Sequence, residues 1–205
     1  NEYGWLWLNR DGTPTALTKS VYAQLMGEDV TNRQRLDMYA YLLAAKTEFW
    51  RAHRHYAGII HFVYLTCSYP GVYTADHFAD VTKLQLDPAF ADYMGEAFKP
   101  LGVYVNFFQP TLKTGEKREF TVMMVNDEYQ PRKGTLTLSL TDKASGTGLA
   151  ERQQPFEVAP LGDKTFKLSL TVPPSAVGDC ILRAAAQADG DASATVSRRW
   201  VKVEK

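Results

Sequence analysis

Cysteine is scarce in this chain: of its 205 residues only Cys67 and Cys180 carry a thiol. They lie in stretches of different texture. A disulfide framework or a zinc centre needs closer or more numerous ligands, so neither is expected, and both cysteines read as buried free thiols. Excess charge of one sign is also lacking, since Lys+Arg and Asp+Glu both number 23. Nucleic-acid binders carry a basic excess or stripe, and no Lys/Arg run here exceeds the dipeptide length of Arg198-Arg199. No nucleic-acid partner is expected. No stretch of about 18 apolar residues occurs, which excludes a membrane-spanning helix. Internal repeats, low-complexity tracts and cofactor motifs are missing as well. The sequence opens on Asn1 with neither Met nor signal peptide, and residues 2–8 already read as a buried strand. That opening is expected of a cut made inside a longer protein.

What is there is ordinary globular composition, 45% hydrophobic and 22% charged. It suits two domains of about 100 residues each. Texture changes near residue 100, from helical periodicity to period-2 alternation. In the first part Glu2–Leu8 is apolar and aromatic, and Asn9-Arg10-Asp11-Gly12-Thr13-Pro14 is a turn. Residues 16–26 form a short helix stopped by Gly27. Thr31 and Gln34 have the spacing of a capping box, and a long helix runs from there to about Tyr56. Its buried face is drawn from Leu36, Tyr39, Leu43, Trp50 and His53.

The run from Ala57 to Leu65 is apolar on both parities, as in strands covered on both faces of a parallel sheet. A long loop from Thr66 to about Leu86 follows, then a helix from Pro88 to near Lys99. This rhythm predicts an α/β domain over residues 1–100, with too few strands to close a sheet. From Leu101 onward, alternation at Val103/Val105/Phe107, Phe120/Val122/Met124, Leu136/Leu138/Leu140, Phe166/Leu168/Leu170/Val172 and Cys180/Leu182/Ala184 predicts an all-β domain over 101–205. Six or seven strands in about 100 residues fit an immunoglobulin-like β-sandwich. Val196 and Val201 differ in parity, so either a bulge lies near Arg198-Arg199 or Trp200 faces the other side.

Four histidines raise the question of a metal. His53 and His55 are two apart and point to different helix faces, whereas a helical zinc pair is spaced by four. No metal site is expected: His53 and His61 read as packed and hydrogen-bonded, His55 as surface. The Thr66–Asp80 loop offers different chemistry. Tyr69 and Tyr73 can stack on pyranose rings, and Asp76 and His77 can bond sugar hydroxyls. Such a loop is either functional or simply solvated and packed.

Glu2 taken alone is a solvated terminal charge. Its neighbours Asn1-Glu2-Tyr3-Gly4 resemble the nucleophile segment of family 2 glycoside hydrolases, the β-galactosidase, β-glucuronidase and β-mannosidase group. Leu36-Asp37-Met38-Tyr39, Thr47–Arg54 and Ala57–Phe62 continue the likeness across roughly residues 1–100. The resemblance implies the C-terminal part of a (β/α)8 TIM barrel followed by a β-rich accessory domain. It implies hydrolysis of β-linked sugars with retention, Glu2 as nucleophile, and Trp5, Phe62, Tyr69, Tyr73, Asp76 and His77 at the substrate. A Trp common in the family's eighth strand is replaced here by Phe62, so sugar preference does not carry over. The family's acid/base residue would precede Asn1. Retaining glycosidases need two carboxyls about 5–5.5 Å apart, so the chain alone is expected to be inactive. An unclosed barrel exposes sheet edges and apolar surface, which predicts a homodimer or partial disorder near residues 1–15. The resemblance points to a bacterial periplasmic or secreted setting. The alternative is a non-catalytic carbohydrate-binding or structural β-sandwich module.

Overall fold

The computed structural model describes residues 2–54 and 58–205. Asn1, His55, Tyr56 and Ala57 lie outside the described residues, and with them the expected end of the long helix and the surface position of His55. The chain divides into two compact units, 1–50 with 54–95, and 51–53 with 96–205.

The first unit contains β1 (Glu2–Tyr3), α1 (Lys19–Met26), most of α2 (Asn32–Ala52), β2 (Ile60–His61), β3 (Phe78–Asp80), β4 (Gln85–Leu86) and most of α3 (Pro88–Ala97). Helix α1 stops at Gly27, whose φ of +81° favours glycine. The capping box forms: Thr31 N donates to Gln34 Oε1 at 2.8 Å, and Gln34 N donates to Thr31 Oγ1 at 3.2 Å. Helix α2 buries Tyr39, Ala40, Leu43, Ala44, Ala45 and Thr47, a wider arc than periodicity marks out, because small residues pack where large ones were sought. Asp87 caps α3, its Oδ1 accepting from Ala89 N at 3.0 Å and Phe90 N at 3.2 Å. Strands β3 and β4 make a short antiparallel hairpin inside what reads in sequence as a loop.

The expectation of a (β/α)8 barrel portion in residues 1–100 is not met. Parallel pairing among the unit's described residues is confined to Glu2 with Ile60 and Tyr3 with His61. Among the described residues of the apolar run expected to be a doubly covered strand, only Ile60–His61 forms a strand. Ile60 is 63% exposed, Tyr64 71% and Leu65 47%. A ladder of two residues has no neighbouring strands to spread helices over, so its apolar side chains stay in solvent. The described residues are largely β, about 40% strand against 19% helix.

The second unit holds β5 (Leu101–Val105), β6 (Thr111–Lys113), β7 (Lys117–Asn126), β8 (Arg132–Asp142), β9 (Gly148–Val158), β10 (Asp163–Thr171), β11 (Gly178–Ala188) and β12 (Thr195–Glu204). They form a three-stranded sheet, β10-β7-β5, and a five-stranded sheet, β6-β12-β11-β8-β9. Pairing is antiparallel except where β6 runs parallel to β12. Phe120, Val122, Met124 and Leu168 from one sheet and Leu136, Leu138, Leu140 and Leu182 from the other join one core, which makes the arrangement a two-sheet β-sandwich. Each large side chain so buried contributes about 1.5–3 kcal/mol. Strand β12 keeps unbroken register from Thr195 to Val203, so no bulge occurs and Trp200 lies on the face opposite Val201. Glu96 extends β12's bonding at its open edge, its Oε2 accepting from Val196 N at 2.8 Å while Lys99 Nζ donates to Oε1 at 2.7 Å.

Candidate functional site

The candidate site lies in the first unit, around β1 and β2. Tyr3 anchors β1: its ring is buried and its hydroxyl is hydrogen-bonded to Thr47 Oγ1 of α2. Phe62 N donates to Tyr3 O at 2.8 Å and extends the strand pairing by one bond. Gly4 follows with φ +112°, and a Cβ there would sit 2.6 Å from Phe62 O and 3.1 Å from the His61 ring. Only glycine lets the chain leave β1 this close to β2. The Glu-Tyr-Gly triplet thus combines an exposed carboxylate, a buried anchor and an obligatory turn.

Aromatic rings of the same unit remain exposed. Trp5 is 51% exposed, Phe62 38%, Tyr69 56% and Tyr73 64%. Trp7 stands edge-on to Phe62 at 6.1 Å. Exposed rings on two strand ends and a loop are the kind of surface that stacks on sugar rings.

Asp76 and His77, adjacent in sequence to those tyrosines, are placed in the interior. Asp76 Oδ1 and Oδ2 accept from Arg10 Nε at 2.9 Å and Nη2 at 2.6 Å, and also from Thr66 N and Phe78 N. Burial alone raises the pKa of this carboxyl. The Arg10 bonds, the two backbone N–H groups and the Arg10 charge outweigh it and hold the group below the usual carboxylate range. Asp76 therefore ties the 66–76 loop to the 9–13 turn. Asp87 is held below its ordinary range in the same way: burial raises it, but the bidentate bonds from Arg33 at 2.6 and 3.0 Å and the α3 N–H groups prevail.

His77 stacks on Phe90 at 3.9 Å with an interplanar angle of 9°, and its Nε2 lies 3.1 Å from His61 Nε2. Burial pushes His61 down to about 4. Burial, with the nearby His61 charge, pushes His77 down to about 3. Both rings are neutral at pH 7. Sequence reading marks His61 as packed and hydrogen-bonded but gives no hint of its partner, because the two lie sixteen positions apart along irregular chain. Tyr39 is buried beside His77, at 4.9 Å between ring centroids, and its hydroxyl has no hydrogen-bond partner among the described residues. Tyr39 and His77 line a cavity of about 10 Å³ with Leu8, Leu36, Phe78 and Phe90. That is room for one water, not for a sugar. Among the described residues no cluster of three or more His, Cys, Asp or Glu could hold a metal.

No family model and no curated protein matches the chain. Solved structures similar to it include a β-glucosidase from Listeria innocua in complex with gluconolactone, at 14% identity and TM-score 0.40, over 53% of this chain and 16% of that one. A cycloisomaltooligosaccharide glucanotransferase from Paenibacillus is similar at 15% identity and TM-score 0.38, over 50% of this chain and 13% of that one. The C-terminal domain of wzt is similar at 18% identity and TM-score 0.38, over 50% of this chain and 70% of that one. Glycoside hydrolases are thus among the structures this chain is similar to, and the chain spans less than a fifth of their length.

Proposed function

We propose that the chain serves carbohydrate hydrolysis, as part of a retaining glycosidase of the family 2 kind with Glu2 as nucleophile. The observation that carries the reading is the Glu2-Tyr3-Gly4 corner: an exposed Glu on a backbone held by a buried Tyr and an obligatory Gly, with Trp5, Phe62, Tyr69 and Tyr73 exposed on the same unit. Glu2 attacks the anomeric carbon as a second carboxyl protonates the departing oxygen. That second group, now a carboxylate, then takes a proton from water as the water oxygen bonds to the anomeric carbon and the Glu2–sugar ester bond breaks, which releases the sugar with its configuration retained. Asp76 and Asp87 are poor candidates for the second group, since arginines and backbone N–H groups already occupy their oxygens. The acid/base is proposed to come from elsewhere in the full reading frame, and the 205-residue chain is proposed to be inactive alone.

The test assays the full reading frame on nitrophenyl β-glycosides with Glu2→Gln beside it. Loss of about 10³-fold or more in kcat supports the nucleophile assignment, a scale typical of removing an essential catalytic group. Retained activity in the variant overturns that assignment, and turnover by the 205-residue chain alone overturns the proposed inactivity of the chain. Sugar binding that persists without any Glu2-dependent turnover would make the exposed rings those of a binding module.

A further inference from the structure

Two imidazoles meet head to head in the unit that carries Glu2. The 3.1 Å bond between His61 Nε2 and His77 Nε2 needs one N–H donor and one lone pair. It therefore exists only while at least one ring is neutral. Packing fixes both partners: His77 lies flat on Phe90, and Tyr3 meets the His61 ring edge-on at 5.7 Å. His61 is also the register partner of Tyr3, as Ile60 is of Glu2. The imidazole pair thus fastens β2, and through it β1, to α3.

We propose that the His61–His77 pair is an acid-sensitive latch on β1 and β2, closed while one imidazole is neutral and open once both are protonated. The first proton leaves a charge-assisted N–H···N bond intact. The second removes the acceptor and sets two cations face to face. Among the described residues neither ring has an ion-pair partner to offset that charge. Asp76 and Asp87 attract a charge on His77, but each already pairs with an arginine, Arg10 and Arg33, and burial outweighs them. Tyr3 of β1, with Lys46 Nζ 5.8 Å from its ring, and Tyr39 of α2 add no anion, and Phe90 offers only a ring face. Burial disfavours the charged form of both rings. A free histidine titrates near 6.5, so opening gains protons as pH falls below about 6.5, where the opened rings charge first. As regulation of the site, the latch rests on the assignment of Glu2; as a structural device it does not.

The experiment follows the full 205-residue chain by imidazole ¹⁵N NMR and by hydrogen exchange of the Phe62 amide between pH 8 and 4.5. The expected result is two neutral native rings at pH 6. The opening constant, corrected for intrinsic exchange, should rise about tenfold per pH unit for each proton taken up. His77→Phe keeps the stack on Phe90 and should remove one proton from that slope. A native ring titrating near 6.5, a pH-independent opening constant, or an unchanged slope in His77→Phe overturns the latch. If that variant does not fold, the unsubstituted chain's titration and exchange decide alone. None of these readouts uses turnover, so an inactive Glu2 and a failed latch are told apart.

Discussion

At the scale of single residues, the tightest constraint near the candidate site is Gly4. Its φ of +112° is one that side-chain-bearing residues rarely adopt, and an added Cβ meets backbone, the Phe62 oxygen at 2.6 Å. Backbone cannot rotate aside as a side chain can. Gly4→Ala should therefore cost about 2–4 kcal/mol, combining a strained φ/ψ with a displaced β2. Urea unfolding monitored by NMR signals of the first unit checks this, and a change under about 0.5 kcal/mol would show that the corner relaxes freely. The residue scale also shows where sequence reading stops. Glu2, Tyr3 and Gly4 are legible as a motif because their neighbours are contiguous. The burial of Asp76 and His77 is not, because it depends on Arg10 and His61, which folding brings from 66 and 16 residues away. A Tyr/Asp/His loop looks equally polar whether its carboxylate faces a ligand or an arginine.

At the scale of elements, local chemistry decides what is readable. Thr31 with Gln34, Gly27, and Pro88 at the start of α3 all lie where their capping or breaking chemistry places helix ends. The alternation of Leu136, Leu138 and Leu140 gives a core-facing strand for the same reason: the signal and its cause lie within a few residues. The 57–65 run fails that condition. Apolar residues on both parities predict burial only if a sheet and its helices exist to cover them, and here the ladder is two residues long. Among the caps, Asp87 does more than Thr31. It caps α3 and also holds Arg33, whereas the Thr31–Gln34 box is exposed. Asp87→Ala is expected to destabilise the first unit by about 2 kcal/mol, cap and partly exposed ion pair together. Thr31→Ala is expected to cost about 0.5–1 kcal/mol. Equilibrium denaturation by circular dichroism orders the two, and an equal or reversed order would mean that the Asp87–Arg33 pair adds nothing to the cap.

At the scale of the whole molecule, the two units differ in what acid does to them. The first holds His61 and His77 with pKa values depressed to about 4 and about 3, while the second has His53 outside its sandwich strands and none in residues 101–205. For a histidine depressed by folding, the unfolded chain binds the extra proton, so stability is complete above the unfolded value near 6.5 and falls below it. The fall ends once pH passes the folded values. Asp76 and Asp87, held below the ordinary carboxylate range, add a second loss that begins only near pH 4. In the sandwich, Asp142 is lowered by hydrogen bonds from the Ser145 backbone and hydroxyl, and contributes in that same lower window alone. Between pH 7.5 and 5, then, the urea midpoint read from α2 amides such as Leu43 should drop, while that read from Leu138 in β8 should hold. A matching drop at Leu138 would mean that the units unfold as one, and a flat response at Leu43 would mean that the buried imidazoles accept protons without cost.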